Sequence, residues 1–475
     1  MSSFTHVLIV GGGAFGASTA VELARLGHRV TVLEKSADGN AADNAASNDL
    51  NKIIRADYDD QHYRDLCKKS IHHWRTNPVL KDFYHETGVM FRTGMKLGKH
   101  AEWIETSIKN AMAPVSNMKE NVDQEKLPKA YAITNGEQAV NVFPPALRPH
   151  LGDPYKQFRE QVGYFNPHGG WAEAKNATFA MMDEARRLGT EVVTNARVTK
   201  LIYAEPKYNQ SKPKVIGVET HDGRTFLADR VLLTTGCWTA SMLEQLKLPM
   251  PREILKPTAH CVLTLKLEPE IAEKFRGTPV TFNMYTGFYT FEPNADGILK
   301  CAIHGKGSSQ FDPGRYPGTE YPEVTSYEQV KDMIKELQSI FPILQLEGPK
   351  KTASVLFTRM CWYSDSADEN FLIDFHPDVD DLLVASGDSG HAFKFLPLLG
   401  RLVAARLLHL ETGTDELVPD FGLSSYQRRV FSFAHHLEIN DPKNPNRVST
   451  DSIRIGAEAI APAEFLQQGP SNSKL

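Results

Sequence analysis

The sequence predicts an α/β fold of two interleaved domains, one built on a parallel sheet and the other on an antiparallel sheet. Three observations point there. Residues 7–36, VLIVGGGAFGASTAVELARLGHRVTVLEKS, run strand, glycine turn, helix, strand. Helix-like and strand-like segments return at 172–235 and again at 381–410, so distant parts of the chain complete the first domain. Between them, residues 250–350 carry aromatic residues in strand-like alternation, as in YTGFYTFEPNADGILKCAIHG.

Val7 to Val10 reads as a buried strand that opens into Gly11-x-Gly13-x-x-Gly16. Gly11 permits the tight turn, Gly13 lets backbone approach a pyrophosphate, and Gly16 lets the next helix lie close on the strand. That helix, with Ala14 and Phe15 in its first turn, points free N–H groups and a positive dipole end at the phosphates. A second strand ends at Glu34-Lys35, about 20 residues beyond the glycines, where an acid accepts hydrogen bonds from ribose hydroxyls and repels a 2′-phosphate. This is a Rossmann-like unit around a dinucleotide. NADP is disfavoured, and the motif alone does not separate FAD from NAD.

Downstream, Ala41 to Asn51 is a loop of small and Asx residues, and Gln61 to Trp74 is helical in pattern. Residues 172–188 predict a helix, and Glu191 to Ile202, which includes Val198, predicts one strand. Val215 to Phe226 predicts a hairpin turning at Asp222-Gly223, and Arg230 to Thr235 an apolar strand ending at Gly236. Asp381 to Ala385 predicts a buried strand, Gly387 to His391 a tight turn, and Leu396, Leu399, Val403, Leu407 and Leu410 one face of a helix. The turn therefore presents a helix N-terminus, which suits negative charge of the kind a reduced flavin carries. Its GDSG string is that of a chymotrypsin-like nucleophile, but an α/β chain supplies no matching upstream triad, so that reading is rejected.

The 53 basic and 58 acidic residues are mixed along the chain, giving a formal charge of −5 and no basic face for nucleic acid or anionic lipid. No run of 18 apolar residues and no secretory h-region occurs, so a soluble, cytosolically made chain with no membrane association is expected. Cys67, Cys237, Cys261, Cys301 and Cys361 are scattered without CxxC spacing, which argues against a disulfide framework and a zinc site. His72-His73 and His435-His436 read as surface or packing residues, and no metal is expected. Ser473-Lys474-Leu475 has the form of a peroxisomal address read by an import receptor, and predicts a peroxisomal enzyme.

Several motifs together resemble the FAD-dependent amine oxidases that include monomeric sarcosine oxidase, pipecolate oxidase, saccharopine oxidase and the fructosyl amino acid oxidases, or amadoriases. They are VGGGAFG, the stretch from Ser47 to Arg55, the lysine of Ile298-Leu299-Lys300, Cys361-Trp362-Tyr363, Asp374, His376-Pro377, and Gly387-x-Ser389-Gly390-His391-x-Phe393-Lys394-Phe395. The resemblance spans nearly the whole chain. It implies an FAD-binding domain from 1–80, 161–248 and 356–437, a substrate domain from 81–160 and 249–355, and a tail at 438–475.

Carried over position by position, the resemblance implies that Cys361 bonds FAD covalently and that Lys300 stands near flavin N5 on the oxygen side. Arg55 and Lys394 hold a substrate carboxylate, with His304 and Tyr363 beside the amine. Read without the family, Arg55 could equally pair with Asp57 or Asp59; the familiar fructosyl members do not generally keep this arginine. Further FAD contacts fall to the glycines, Glu34 and Lys35, to Ser47, Asn48, Asn51 and Lys52, to Val198 and Gly236, and to Asp388, Gly390, His391 and Phe393. The expected reaction oxidises the secondary amine of an N-substituted amino acid, with O2 as acceptor and H2O2 as product. Fructosyl or saccharopine-type substrates come first and sarcosine or pipecolate second, with a monomer expected. An NAD-dependent dehydrogenase or a non-catalytic FAD-binding protein are the readings from other classes.

Overall fold

The computed structural model describes residues 5–93, 99–113, 129–156, 162–206, 208, 211–248, 250, 254–305, 327–409 and 423–444. Leu410 and Ser473-Lys474-Leu475 lie outside them.

The glycine-turn unit forms as its pattern requires. Strand His6–Val10 is followed by helix Ala14–Arg25 and strand Arg29–Leu33, which pairs parallel to the first. Six strands make this sheet, in the order Leu372–Phe375, Leu382–Ser386, Arg230–Leu233, His6–Val10, Arg29–Leu33, Glu191–Val193. All pairings are parallel except that of Leu372–Phe375 with Leu382–Ser386. The strands are mostly apolar, and helices cover them: Ala14–Arg25 packs against both Leu396–Leu407 and Ala174–Arg187. Their contacts join Val7, Ile9, Ala17, Ala20, Met181, Leu399 and Val403 into one buried cluster.

Residues 191–202 form two strands, not the single one expected. Glu191–Val193 closes the parallel sheet, whereas Val198–Tyr203 starts a three-stranded sheet with Val215–Thr220 and Thr225–Leu227. The break sits at Asn195, whose φ of 51° is a left-handed conformation that asparagine tolerates better than most residues. Its N–H and that of Ala196 turn back to the carbonyls of Ser36 and Glu34.

The second body is an eight-stranded sheet, ordered Ala353–Asp365, Lys256–Leu267, Ile298–Ile303, Phe288–Thr290, Val280–Asn283, Val89–Thr93, Val162–Asn166, Tyr131–Ile133. Only Val280–Asn283 with Val89–Thr93 is parallel. Register sets Cys361 opposite His260 and Lys300 opposite Thr264. The alternation at 250–350 thus gives strands, interrupted by helix Pro269–Lys274 and followed by helix Tyr327–Ile340, neither of which the sequence reading placed. Among the described residues, no helix is long and apolar enough to cross a membrane.

Candidate active site

A cavity of about 970 Å³ lies between the carboxyl ends of the parallel strands and one face of the antiparallel sheet. Val10, Leu33 and Thr234 reach it from the first, and Phe282, Tyr289, Phe291, Lys300 and Trp362 from the second. Ligands of open α/β sheets bind at such strand ends.

At the nucleotide end, Gly11 has φ +106°, and a Cβ there would stand 2.7 Å from the Thr234 carbonyl oxygen. Gly16 lies behind the wall, where a Cβ would fall 1.9 Å from the Gly11 oxygen, so its part is helix packing. Gly13 caps helix Ala14–Arg25 without a side-chain bond, leaving the first turn open to the cavity that Gly11, Gly13, Ala14 and Phe15 line. Glu34 is buried on the same wall; one carboxylate oxygen accepts from Gly12 N–H at 2.6 Å and the other from Ser36 N–H at 3.1 Å. Burial pushes its carboxyl upward even so. Lys35 lies over the Trp238 ring at 3.8 Å, and Ser47, Val198 and Gly236 complete this end.

In the middle, one carboxylate gathers the cations. Lys300 is fully buried, and its Nζ donates to Asp49 Oδ2 at 2.6 Å and to the Asn51 carbonyl at 2.7 Å. Lys52 donates to the same Asp49 oxygen, and its Nζ lies 3.4 Å from Cys361 Sγ. Burial alone would raise the Asp49 carboxyl, but Lys300, Lys52 and Arg359 hold it far below the usual carboxylate range. Burial brings Lys300 down to about 8, the attraction of Asp49 limiting the fall.

Besides Gly16, three residues assigned to cofactor contact do not line the cavity. The Asn48 side chain donates to the Ala41 and Ala42 carbonyls and pins its own loop. Asn51 acts through its backbone carbonyl, and its buried amide has no partner. Cys361 lies behind Lys52; the cysteine on the wall is Cys237, whose thiol burial pushes well up.

At the far end, the Arg55 guanidinium donates to the Asp57 main-chain carbonyl, not to its carboxylate; there Oδ1 accepts from Tyr164 Oη at 2.7 Å and Asn166 Nδ2 at 2.8 Å, and buried Oδ2 has no partner among the described residues. Lys394 Nζ donates to Tyr58 Oη at 2.8 Å, and Tyr58 Oη lies 2.9 Å from His391 Nδ1. Burial and then the neighbouring Arg55 lower Lys394 to about 7. Tyr363 stacks on His260 at 4.0 Å, with His304 6.1 Å from the Tyr363 ring. In the Gly387–His391 turn, the Asp388 carboxylate accepts from Ser364 and Gly390 N–H, and burial raises it to about 7. The turn opens into a 3-10 turn, Ala392–Phe395, before the α-helix begins at Leu396, so the long helix does not start at the turn itself. Asp388, Gly390, His391, Phe393 and Lys394 all reach the cavity.

The profile of the FAD dependent oxidoreductase family matches residues 6–406. The chain belongs to that family. It is 28% identical to L-saccharopine oxidase of Schizosaccharomyces pombe, over 85% of this chain and 89% of that protein. It is 22% identical to human peroxisomal sarcosine oxidase, over 86% and 93%. The crystal structure of amadoriase I from Aspergillus fumigatus superposes with a TM-score of 0.68 at 26% identity, covering 88% of this chain and 90% of that one.

The residues present fit FAD. The uncapped helix turn and the side-chain-free approach at Gly11 and Gly13 suit a pyrophosphate, and buried Glu34 suits a ribose with free hydroxyls. Sequence reasoning missed Asp49 and Tyr58 as working residues. Asp49 stands inside the Ser47–Arg55 motif, three residues before Lys52, and that spacing of opposite charges was the one local signal for it. Tyr58 lies three residues beyond Arg55, with nothing local to tie it to Lys394.

Proposed function

We propose that this FAD-dependent enzyme oxidises the secondary amine of an N-substituted amino acid, giving an imine that hydrolyses in water and H2O2 from O2. The observation that carries the reading is the placing of two basic side chains, Arg55 and Lys394, on one cavity wall, with no carboxylate ion-paired to either among the described residues. A guanidinium and an amine so placed suit a planar carboxylate.

Bound FAD would supply the two-electron redox chemistry between substrate and oxygen. Gly11, Gly13, Ala14, Phe15, Glu34, Lys35 and Ser47 would hold its nucleotide half, and Lys52, Asp388, Gly390 and His391 the flavin half. The protein's own part is orientation and field. Arg55 and Lys394 fix the carboxylate, while His304 and Tyr363 border the amine. Lys300, kept cationic near neutral pH by Asp49, stabilises the negative charge that oxygen gains as it is reduced.

Saccharopine-type and fructosyl-type substrates lead this reading, because the relatives include an L-saccharopine oxidase and an amadoriase, and sarcosine-type substrates follow. Peroxide release over a panel of N-substituted amino acids tests it: activity confined to amines without a carboxylate would refute it. A covalent bond from Cys361 to FAD belongs to the same reading. Acid precipitation should keep the flavin on the wild type and release it from Cys361→Ser; release from Cys237→Ser alone would move the bond to the cysteine on the wall. A peroxisomal location is also proposed, supported by the Ser473-Lys474-Leu475 motif and by the human relative's name. Import of a carrier protein ending in these residues would test it, and a cytosolic carrier would contradict it.

A further inference from the structure

The hydrogen bonds around Lys394 have a fixed direction. His391 Nε2 lies 2.8 Å from the Glu369 carbonyl oxygen, which can only accept, so Nε2 carries the proton. His391 is neutral, since burial and then Lys394 hold it down to about 3, so Nδ1 bears a lone pair. Tyr58 Oη, 2.9 Å away, must donate to that lone pair, and its phenol stays protonated because burial raises it well above its usual value. The Tyr58 oxygen is left to accept from Lys394 Nζ at 2.8 Å. Lys394 is thus held by one of its own N–H bonds, which leaves the lone pair of a neutral amine available to the cavity.

The backbone of Lys394 is equally fixed, its carbonyl accepting from Ser70 Oγ at 2.6 Å and Trp74 Nε1 at 2.9 Å. The charged and titratable groups around its amine are Arg55 and Asp57 from the loop after strand Lys52–Ile54, Cys67 from helix Gln61–Thr76, and Glu369 before strand Leu372–Phe375. Of these, Arg55 opposes a second positive charge and outweighs the weaker attraction of Asp57 and Glu369, and burial keeps the Cys67 thiol neutral at about 12.

We propose that Lys394 is the base that prepares the substrate: it enters the cycle as a neutral amine and takes the proton of the incoming secondary ammonium. This rests on the proposed amino-acid substrate. The N–H bond of the substrate ammonium breaks, its electron pair stays on the substrate nitrogen, and a new N–H bond forms at Lys394 Nζ. The substrate becomes the neutral amine that oxidation requires, and Lys394 becomes the cation that its carboxylate pairs with. One proton transfer does both, with none exchanged with solvent. Tyr58 and His391 are positioning residues that aim the lone pair.

Calorimetry on the FAD-loaded enzyme, in buffers of different ionisation enthalpy, tests this with two probes. Propionate is a carboxylate without an amine; 2-aminoisobutyrate is a zwitterion with no hydrogen on the carbon beside nitrogen. At about pH 8.5, propionate should draw about one proton from buffer on binding to the wild type and about none on binding to Lys394→Met. The zwitterion should draw about none in the wild type and release about one in the variant. In stopped-flow, the wild-type reduction rate with a saturating substrate should stay flat between about pH 7 and 9, whereas Lys394→Met should gain about tenfold per unit as the amine deprotonates in solution. Propionate binding without proton uptake by the wild type, or the same pH profile in both proteins, would overturn the proposal, and the first needs no variant. If neither probe binds, the carboxylate site itself is wrong and the proposal falls with it.

Discussion

The two clusters of basic side chains in the cavity are built on opposite plans. In the middle, Lys300 and Lys52 converge on one buried carboxylate, Asp49, with Arg359 behind it. At the far end, Lys394 and Arg55 adjoin one another, and their hydrogen bonds go to a phenol oxygen and a main-chain carbonyl. The paired lysines can stay charged although buried; Lys394 cannot do so at little cost until an anion arrives. Burial is similar in both places, so the difference is one of partners. The first cluster is complete in charge, and the second holds basic groups whose hydrogen bonds go to neutral oxygens.

The largest effect expected from breaking this contrast is at Asp49. Asp49→Asn keeps the shape but leaves two buried ammonium groups without their anion, and should cost about 3–5 kcal/mol in denaturant unfolding. A loss below about 1 kcal/mol would mean that the lysines are neutral and the cluster is not a charged one.

Next is Lys300→Met. If the paired lysine acts on oxygen, the oxidative half-reaction should slow by about 100- to 1000-fold while anaerobic reduction by substrate changes much less. Equal slowing of both halves would make Lys300 a part of substrate binding instead.

The smallest effect sharpens the other side of the comparison. The folded-state value of Lys394, about 7, lies below that of an unfolded lysine, so between these the unfolded chain binds the extra proton and stability falls as pH drops. Relative to Lys394→Met, the unliganded wild type should lose up to about 1 kcal/mol per pH unit on going from about pH 10 to 7, and little more below that. Parallel stability curves would show that Lys394 stays charged in the fold.

Much of the nucleotide end was legible in the sequence because it is local. Gly11, Gly13 and Glu34 belong to one short βαβ unit whose geometry leaves each a single job. Asn195 escaped notice because a strand-like run on both sides hid a left-handed turn that moves the chain from one sheet to another. The charge logic of the site was the least legible part. Lys300 meets Asp49 across 251 residues of sequence, and Lys394 meets Tyr58 across 336, distances at which no periodicity carries information. Asn48 stands off the cavity for a related reason: its side chain turns inward to hold the loop that presents its neighbours.

The central claim is that the far end is a carboxylate site, and Arg55→Ala tests it most directly. Peroxide release should be followed for an N-substituted amino acid and for the same compound without its carboxylate, in the wild type and the variant. Truncating one member of a partly desolvated charge pair should cost about 2–5 kcal/mol, so the apparent KM for the amino acid should rise at least about 30-fold while that for the decarboxylated amine barely moves. Equal impairment towards both compounds would show that Arg55 serves only the loop it bonds at Asp57, and would contradict the account.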